Sequence, residues 1–222
     1  MISRPSHIPS FPIESSSPAP KWDDLKARED FEFDSSPVVQ AGESLSTNAI
    51  LTIGVGVYEW IYWYLKTHTS RKEPYQVLEA SWYGLYKPDA FTYIEFDRKE
   101  WMGQVHGPLW CGMMGSTEMI DYRDVRESVA ELGLNYLPSL AVHILPDSTP
   151  FEDWLDLAIS RFESLYLKPE ESLFENLFEE MSQETVPREA LDLDNNFSKE
   201  NTQTYIDDYI GNIDVTNPFI EA

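Results

Sequence analysis

The sequence predicts an all-α fold: a single helical domain of about six to seven helices, with a Pro/Ser-rich N-terminal arm and an acidic C-terminal extension. Three observations carry this expectation. Apolar residues recur at three- and four-residue spacing through most of 44–166, strand-like alternation is confined to a short piece near Phe91, and no repeat of solenoid period is visible. With 222 residues, 42% hydrophobic and 14% aromatic, the chain is long enough to bury a core. The expected division is an arm and acidic lead-in at 1–43, a helical core at 44–168 and an acidic extension at 169–222.

Residues 1–20 hold five prolines and six serines, which cannot sustain a helix and offer little to bury. Residues 1–21 are therefore expected to be a mobile or surface-draped arm, dispensable for stability. Trp22, Leu25, Phe31 and Phe33 then punctuate an acidic stretch that is expected to pack on the main body. The first helix is read over about 44–67, capped by Ser44 or Ser46, with Ile50, Ile53, Val57, Ile61, Tyr64 and Leu65 as one apolar face. A second runs from about Pro74 to Tyr86, with the proline in the first turn, where its missing N–H costs nothing. Residues 90–107 read as an ordered connector, and helical spacing resumes from Pro108 to about Asp121. Two segments follow, Asp124 to Leu132 and Ser139 to Ile144, with a kink or loop expected at Gly133 to Pro138. The clearest amphipathic helix is Pro150 to Tyr166, with Thr149 as its expected N-cap. Phe151, Trp154, Leu155, Ala158, Ile159, Phe162 and Leu165 point inward, and Glu152, Asp153, Asp156 and Glu163 outward. Leu173, Phe174, Leu177, Phe178 and Met181 predict a last docking helix at Glu170 to Gln183, and the chain beyond Pro187 is expected to be looser.

The stretch Leu45 to Leu65 has the length of a bilayer span, but Glu59, Asn48 and several hydroxyls interrupt it, which favours a buried helix of a soluble protein. No secretory signal is expected from the proline-rich start. The single cysteine, Cys111, excludes an internal disulfide framework and a Cys-type metal site, and fits a reducing, cytoplasmic setting.

Signals of chemistry are sparse. His106 and Cys111 invite a thiol–imidazole pair, yet Cys111 lies between Trp110 and Met113 and reads as a small core hydrophobe. His143 has no second histidine at ligand spacing. Gly54-Val55-Gly56 lacks the third glycine, the strand and the helix N-terminus of a dinucleotide site. Adjacent acids such as Asp207-Asp208 and Glu179-Glu180 read as solvated faces. The aromatic group Trp60, Tyr62, Trp63, Tyr64, Trp82, Tyr83 and Tyr86 reads as core filling, with an interface hot spot as the alternative. No catalytic residue, cofactor or metal ligand is assigned, and the protein is expected not to be an enzyme.

Charge is the more informative property. With 39 acidic and 16 basic residues the formal charge is -23, which disfavours a direct grip on nucleic-acid phosphates and favours a basic partner. Residues 170–222 hold 14 acids against Arg188 and Lys199. The expected partner-binding residues are Glu170, Glu171, Glu175, Glu179 and Glu180, extended by Glu152, Asp153 and Asp156 of the preceding helix.

The segments VYEWIYWYL at 57–65, VLEASWY at 77–83 and EFDRKEWMGQVHGPLW at 95–110 carry a family resemblance. Through them, and through Glu100-Trp101, Gly103, Val105 and Gly107-Pro108-Leu109 in particular, the chain over 44–166 resembles bacterial immunity proteins encoded beside polymorphic toxins of the Rhs and type VI-delivered kind. The resemblance implies a mostly helical, cytosolic, non-catalytic protein that binds one toxin domain and blocks its active site. The alternative is an adaptor or chaperone that binds a secreted effector for delivery without inhibiting it. A third reading, an enzyme using carboxylates or Cys111, would require a cleft in which titratable side chains converge.

Overall fold

The first long helix, α1 (Thr47–Leu65), forms where expected because Ser46 stands at its N-cap, its hydroxyl accepting from the Ala49 N–H at 3.3 Å. The computed structural model describes residues 2–11, 22–26, 38, 42, 44–168, 184–194 and 196–221. Within them α1 is the axis of the molecule. All of its residues except Asn48 and Trp63 are buried, so the single apolar stripe read from the sequence is only part of an all-round buried surface. It packs against α2 (Glu73–Tyr86), α3 (Gly103–Asp121), α5 (Leu137–Ile144) and α6 (Thr149–Leu165). At Gly54 a Cβ would stand 2.5 Å from the Met119 sulfur and 3.0 Å from the Gly133 Cα, so only glycine lets these backbones approach.

Helix α2 places Pro74 in its first turn as expected. Helix α3 begins five residues earlier than its sequence suggests, at Gly103, whose φ of 93° is one that glycine alone adopts readily. Its N–H donates to the Asp24 carboxylate at 2.7 Å. Pro108 therefore lies inside the helix, and the buried side chains of Leu109, Cys111, Met113 and Met119 hold it there against the lost backbone bond.

No loop forms at Gly133 to Pro138; the irregularity expected there is a π-helical stretch within continuous helix. Helix α4 (Arg126–Ala130) passes through a π-helical segment, Glu131–Tyr136, directly into α5. The wider turn accommodates the proline: Leu137 donates to the Leu132 carbonyl, five residues back, and the Ser139 hydroxyl donates to the Asn135 carbonyl at 2.7 Å. In α6, Pro150 occupies the first turn, but Thr149 is not the cap. The cap position is Ser148, whose side chain makes no capping bond, and the Asp147 carboxylate just before it accepts from the Thr149 N–H at 3.0 Å. The end of α6 returns to the start of α1 through an antiparallel bridge between Leu45 and Leu167. Truncation of Leu155, 2% exposed on the inner face of α6, is expected to cost about 2–5 kcal/mol, read from urea denaturation of Leu155→Ala.

Both ends of the chain contribute to the core. Of the two expectations for the proline-rich start, residues 2–11 follow the surface-draped one, anchored by Ile2 and by Ile8, which is 1% exposed. Trp22 also packs on the core, whereas Leu25 is exposed. Val186 is buried just before Pro187; beyond it a 3-10 turn (Arg188–Leu191) buries Ala190 and Leu191, α7 (Thr202–Gly211) buries Ile206, and Phe219 and Ile220 follow. Phe91 pairs with Ile220, and the Thr92 N–H donates to the Phe219 carbonyl at 3.0 Å. A few spaced apolar anchors, together with the backbone bonds of Ile2, Ser3 and Thr92, tie these segments to the body despite their composition. The structure is all-α and a single domain; among the described residues it has two isolated bridges and no strand. The helix expected at Glu170 to Gln183 lies outside the described residues. Among those described, no helix is long and apolar enough to cross a membrane.

Candidate functional site

The one charge inside the apolar sequence VYEWIYWYL decides where the site forms. Glu59, in the middle of α1, is 2% exposed and could not remain ionised there alone. Arg188 answers it with a two-point clasp, Nε to Oε2 at 3.0 Å and Nη2 to Oε1 at 2.6 Å. The same guanidinium donates to the Ser3 carbonyl at 2.7 Å, and the Arg188 N–H donates to the Tyr86 hydroxyl at 2.9 Å. Three parts of the chain that are remote in sequence thus meet on one ion pair. Between them lies a cavity of about 270 Å³, walled by the N-terminal segment through Ser3 to His7, by Glu59, and by the turn carrying Arg188, Glu189 and Asp192.

The electrostatics of this cleft are uneven. Burial works against the Arg188 charge, but Glu59 more than offsets it, and the guanidinium is held protonated more firmly than a free arginine. Burial pushes the neighbouring Glu189 carboxyl up, and Arg188 compensates only in part. The His7 ring stacks on Trp154 with centroids 5.2 Å apart. Its burial there brings the imidazole down to about 4, although the Asp192 charge opposes this. Glu189 Oε2 and His7 Nδ1 are buried and have no hydrogen-bond partner. Arg4 of the N-terminal segment also lines the cleft, and the Ser6 hydroxyl donates to Asp192 Oδ1 at 3.1 Å.

A pH dependence follows from His7. Its folded pKa lies below the unfolded value, so the unfolded chain takes up the proton first, and docking of the N-terminal segment weakens as pH falls from about 6.5 toward about 4. Glu189 has the opposite sign, its raised pKa favouring the fold on the acid side. An NMR titration of the His7 ring is expected to show a midpoint near 4; a midpoint near that of a free histidine would contradict its burial.

A second buried acid organises the other end of the chain. Glu79 of α2, 2% exposed, accepts from Asn217 Nδ2 at 3.2 Å and from the Tyr75 hydroxyl at 3.3 Å, while its carbonyl accepts from the Tyr209 hydroxyl at 2.9 Å. Neither Glu59 nor Glu79 was singled out as a site residue from the sequence. The available signal was a lone carboxylate in an apolar helix, which needs a cationic partner if it is buried, without indicating which one.

The residues expected to bind a partner are placed as follows. Glu152, Asp153 and Asp156 are exposed on the outer face of α6, next to Leu157, which is 59% exposed. Glu170, Glu171, Glu175, Glu179 and Glu180 lie outside the described residues. Cys111 is buried in α3, and the His106 Nε2 meets the Thr69 hydroxyl at 3.2 Å. Five residues apart on one helix, His106 and Cys111 point in different directions. Gly54 and Gly56 serve helix packing. Trp60, Tyr62, Tyr64 and Trp82 are buried, and Trp63, Tyr83 and Tyr86 pack against the same core. No group of three potential metal-ligating side chains occurs among the described residues. Compared with protein-family models, curated proteins and solved structures, the chain gives no significant match to any.

Proposed function

We propose that the protein is a cytoplasmic, non-catalytic immunity protein that seats against a basic toxin domain and occludes its active site. The observation that carries this reading is the charge of -23, which steers a cationic partner toward the molecule. Its sign is presented on the outer face of α6, where Glu152, Asp153 and Asp156 are exposed. The resemblance over 44–166 supports the same reading.

The test is co-expression with the toxin domain encoded beside the gene, followed by co-purification. Protection of the host together with a stable complex is expected. Complex formation that leaves killing intact would replace the immunity reading with that of a delivery adaptor, and absence of both would overturn the proposal. Charge reversal at Glu152, Asp153 and Asp156 together is expected to slow association at low salt by about ten-fold or more and to flatten its salt dependence. An unchanged association rate would remove α6 from the interface.

A further inference from the structure

The two ends of the chain are attached in different ways. The C-terminal segment is stitched to the body through main chain: the Thr92 N–H donates to the Phe219 carbonyl at 3.0 Å and the Glu221 N–H to the Ala90 carbonyl at 2.8 Å. Asn217 Nδ2 adds a bond to the Gln76 carbonyl at 2.8 Å. Residues 2–11 have no such ladder. Among the described residues their one backbone–backbone bond, from the Ile8 N–H to the Pro5 carbonyl at 3.3 Å, is internal to the segment. Their polar ties to the body each use a side chain: the Tyr75 hydroxyl accepts from the Ile2 N–H at 2.6 Å, Arg188 donates to the Ser3 carbonyl at 2.7 Å, and the Ser6 hydroxyl donates to Asp192 at 3.1 Å. Ile8 is seated at 1% exposure, His7 lies flat on Trp154, and Phe11 meets Tyr64 edge-on at 5.0 Å.

The seam between segment and body is imperfectly closed. The cavity of about 270 Å³ lies along it, with Ser3 to His7 on one wall and Glu59, Arg188, Glu189 and Leu191 on the other. His7 Nδ1 and Glu189 Oε2, both from residues of these walls, are buried without a hydrogen-bond partner. Lifting the segment lets water reach both atoms, which lowers the free energy of opening. The body does not depend on the segment for its own pairing. With the segment lifted, Glu59 keeps the Arg188 clasp and the bond from Trp63 Nε1 at 3.2 Å, and α1 keeps its packing on α2, α3, α5 and α6.

We propose that residues 2–11 are a lid over the Glu59–Arg188 cleft, which opens and closes as one unit on the folded body and admits solvent to the cleft while the helices stay packed. The chain then has two native forms in equilibrium, separated by a local opening rather than by unfolding. In the open form Arg188 loses its bond to Ser3 and keeps Glu59, and Trp154 and Tyr64 lose the rings that lie on them. The lid does not rest on the immunity reading, and no toxin enters its test.

The experiment reads thiol labelling of the full chain carrying Ile8→Cys by an aromatic disulfide reagent, with Cys111, buried in α3, as the internal reference for opening of the core. The introduced thiol is expected to react about 100-fold or more faster than Cys111, because a local opening requires less free energy than a global one. Below the unfolding transition its rate is expected to change little with urea, whereas that of Cys111 rises steeply with the surface that unfolding exposes. Adding Tyr75→Phe, which removes the acceptor of the Ile2 N–H at the other end of the segment, is expected to speed the introduced thiol about three- to ten-fold and more than it speeds Cys111. Labelling that follows Cys111 in rate and urea dependence would show that the segment leaves only with the whole fold, and overturns the proposal. Labelling as fast as in the unfolded chain overturns it equally, since no closed form then exists. A rate indifferent to Tyr75→Phe would mean that the two ends of the segment open separately and that there is no unit. Because a smaller side chain loosens the seat of Ile8, amide hydrogen exchange of the unmodified chain is the second measurement. The Ile2 and Ile8 amides are expected to be less protected than those of Thr92 and Glu221, through an opening insensitive to urea. Equal protection at the two ends of the chain overturns the lid whatever the variant does.

Discussion

Replacing Arg188 with alanine is expected to destabilise the protein by about 3–5 kcal/mol, toward the lower end because the arginine side chain is 17% exposed and water can partly enter. The loss arises mainly from what remains. Glu59 would keep its carboxylate at 2% exposure, in the middle of a helix buried on all sides, with both of its bonds to Arg188 gone. The protein must then protonate Glu59, hydrate it by opening the cleft, or unfold. The N-terminal segment would also lose its tie through the Ser3 carbonyl, so proteolysis within residues 2–11 is expected to accelerate. Replacing Glu59 and Arg188 together by methionine removes both charges and should cost much less than Arg188→Ala, since an apolar pair of similar volume offsets the lost attraction. Urea denaturation of the single and double variants measures both. A loss below about 1 kcal/mol for Arg188→Ala would show that the pair behaves as an exposed salt bridge.

Truncation of Trp60 to alanine is expected to have a comparable cost, about 3–5 kcal/mol. Trp60 is 1% exposed, and its ring meets Phe151 at 5.6 Å, Trp154 at 5.7 Å and His7 at 6.2 Å between centroids. It therefore joins α1 to α6 and to the docked segment, and its loss leaves a cavity bounded by rings that cannot collapse without moving a helix. One effect works the other way: the indole Nε1 is buried without a hydrogen-bond partner, and its removal relieves that penalty. The lower half of the range is accordingly expected. Chemical denaturation gives the size, and near-ultraviolet circular dichroism should lose the signal of the coupled rings. A cost under about 1.5 kcal/mol would mean that the neighbouring rings repack into the space.

Helix existence was legible because its causes are local. Ser46 as a cap, Pro74 and Pro150 in first turns, and the inward series from Phe151 to Phe162 each act within one or two turns of the chain. Boundaries and irregularities were less legible. Proline at 138 argues for a break by its own chemistry, but the helix survives because the π turn, the Ser139 hydroxyl and the burial of Leu134, Leu137 and Leu140 compensate for it. The exposed acids of α6 were likewise evident, since the helical period that turns Trp154 and Leu155 inward turns Glu152, Asp153 and Asp156 outward.

The sequence by itself determined the helical class, the places where most helices start, and the strongly negative charge, because each depends on residues near one another or on a sum over all of them. Tertiary structure alone decided which charges became structural and which ends of the chain joined the core. Glu59 and Arg188 stand 129 residues apart, and nothing around either residue encodes the other. Their pairing, like the seating of Ile8 and the tie from Asn217 to Glu79, exists only after the helices between them have packed and excluded water. In that dry interior a lone carboxylate is costly enough to draw in distant parts of the chain, whereas in the unfolded chain the same carboxylate is hydrated and indifferent to them.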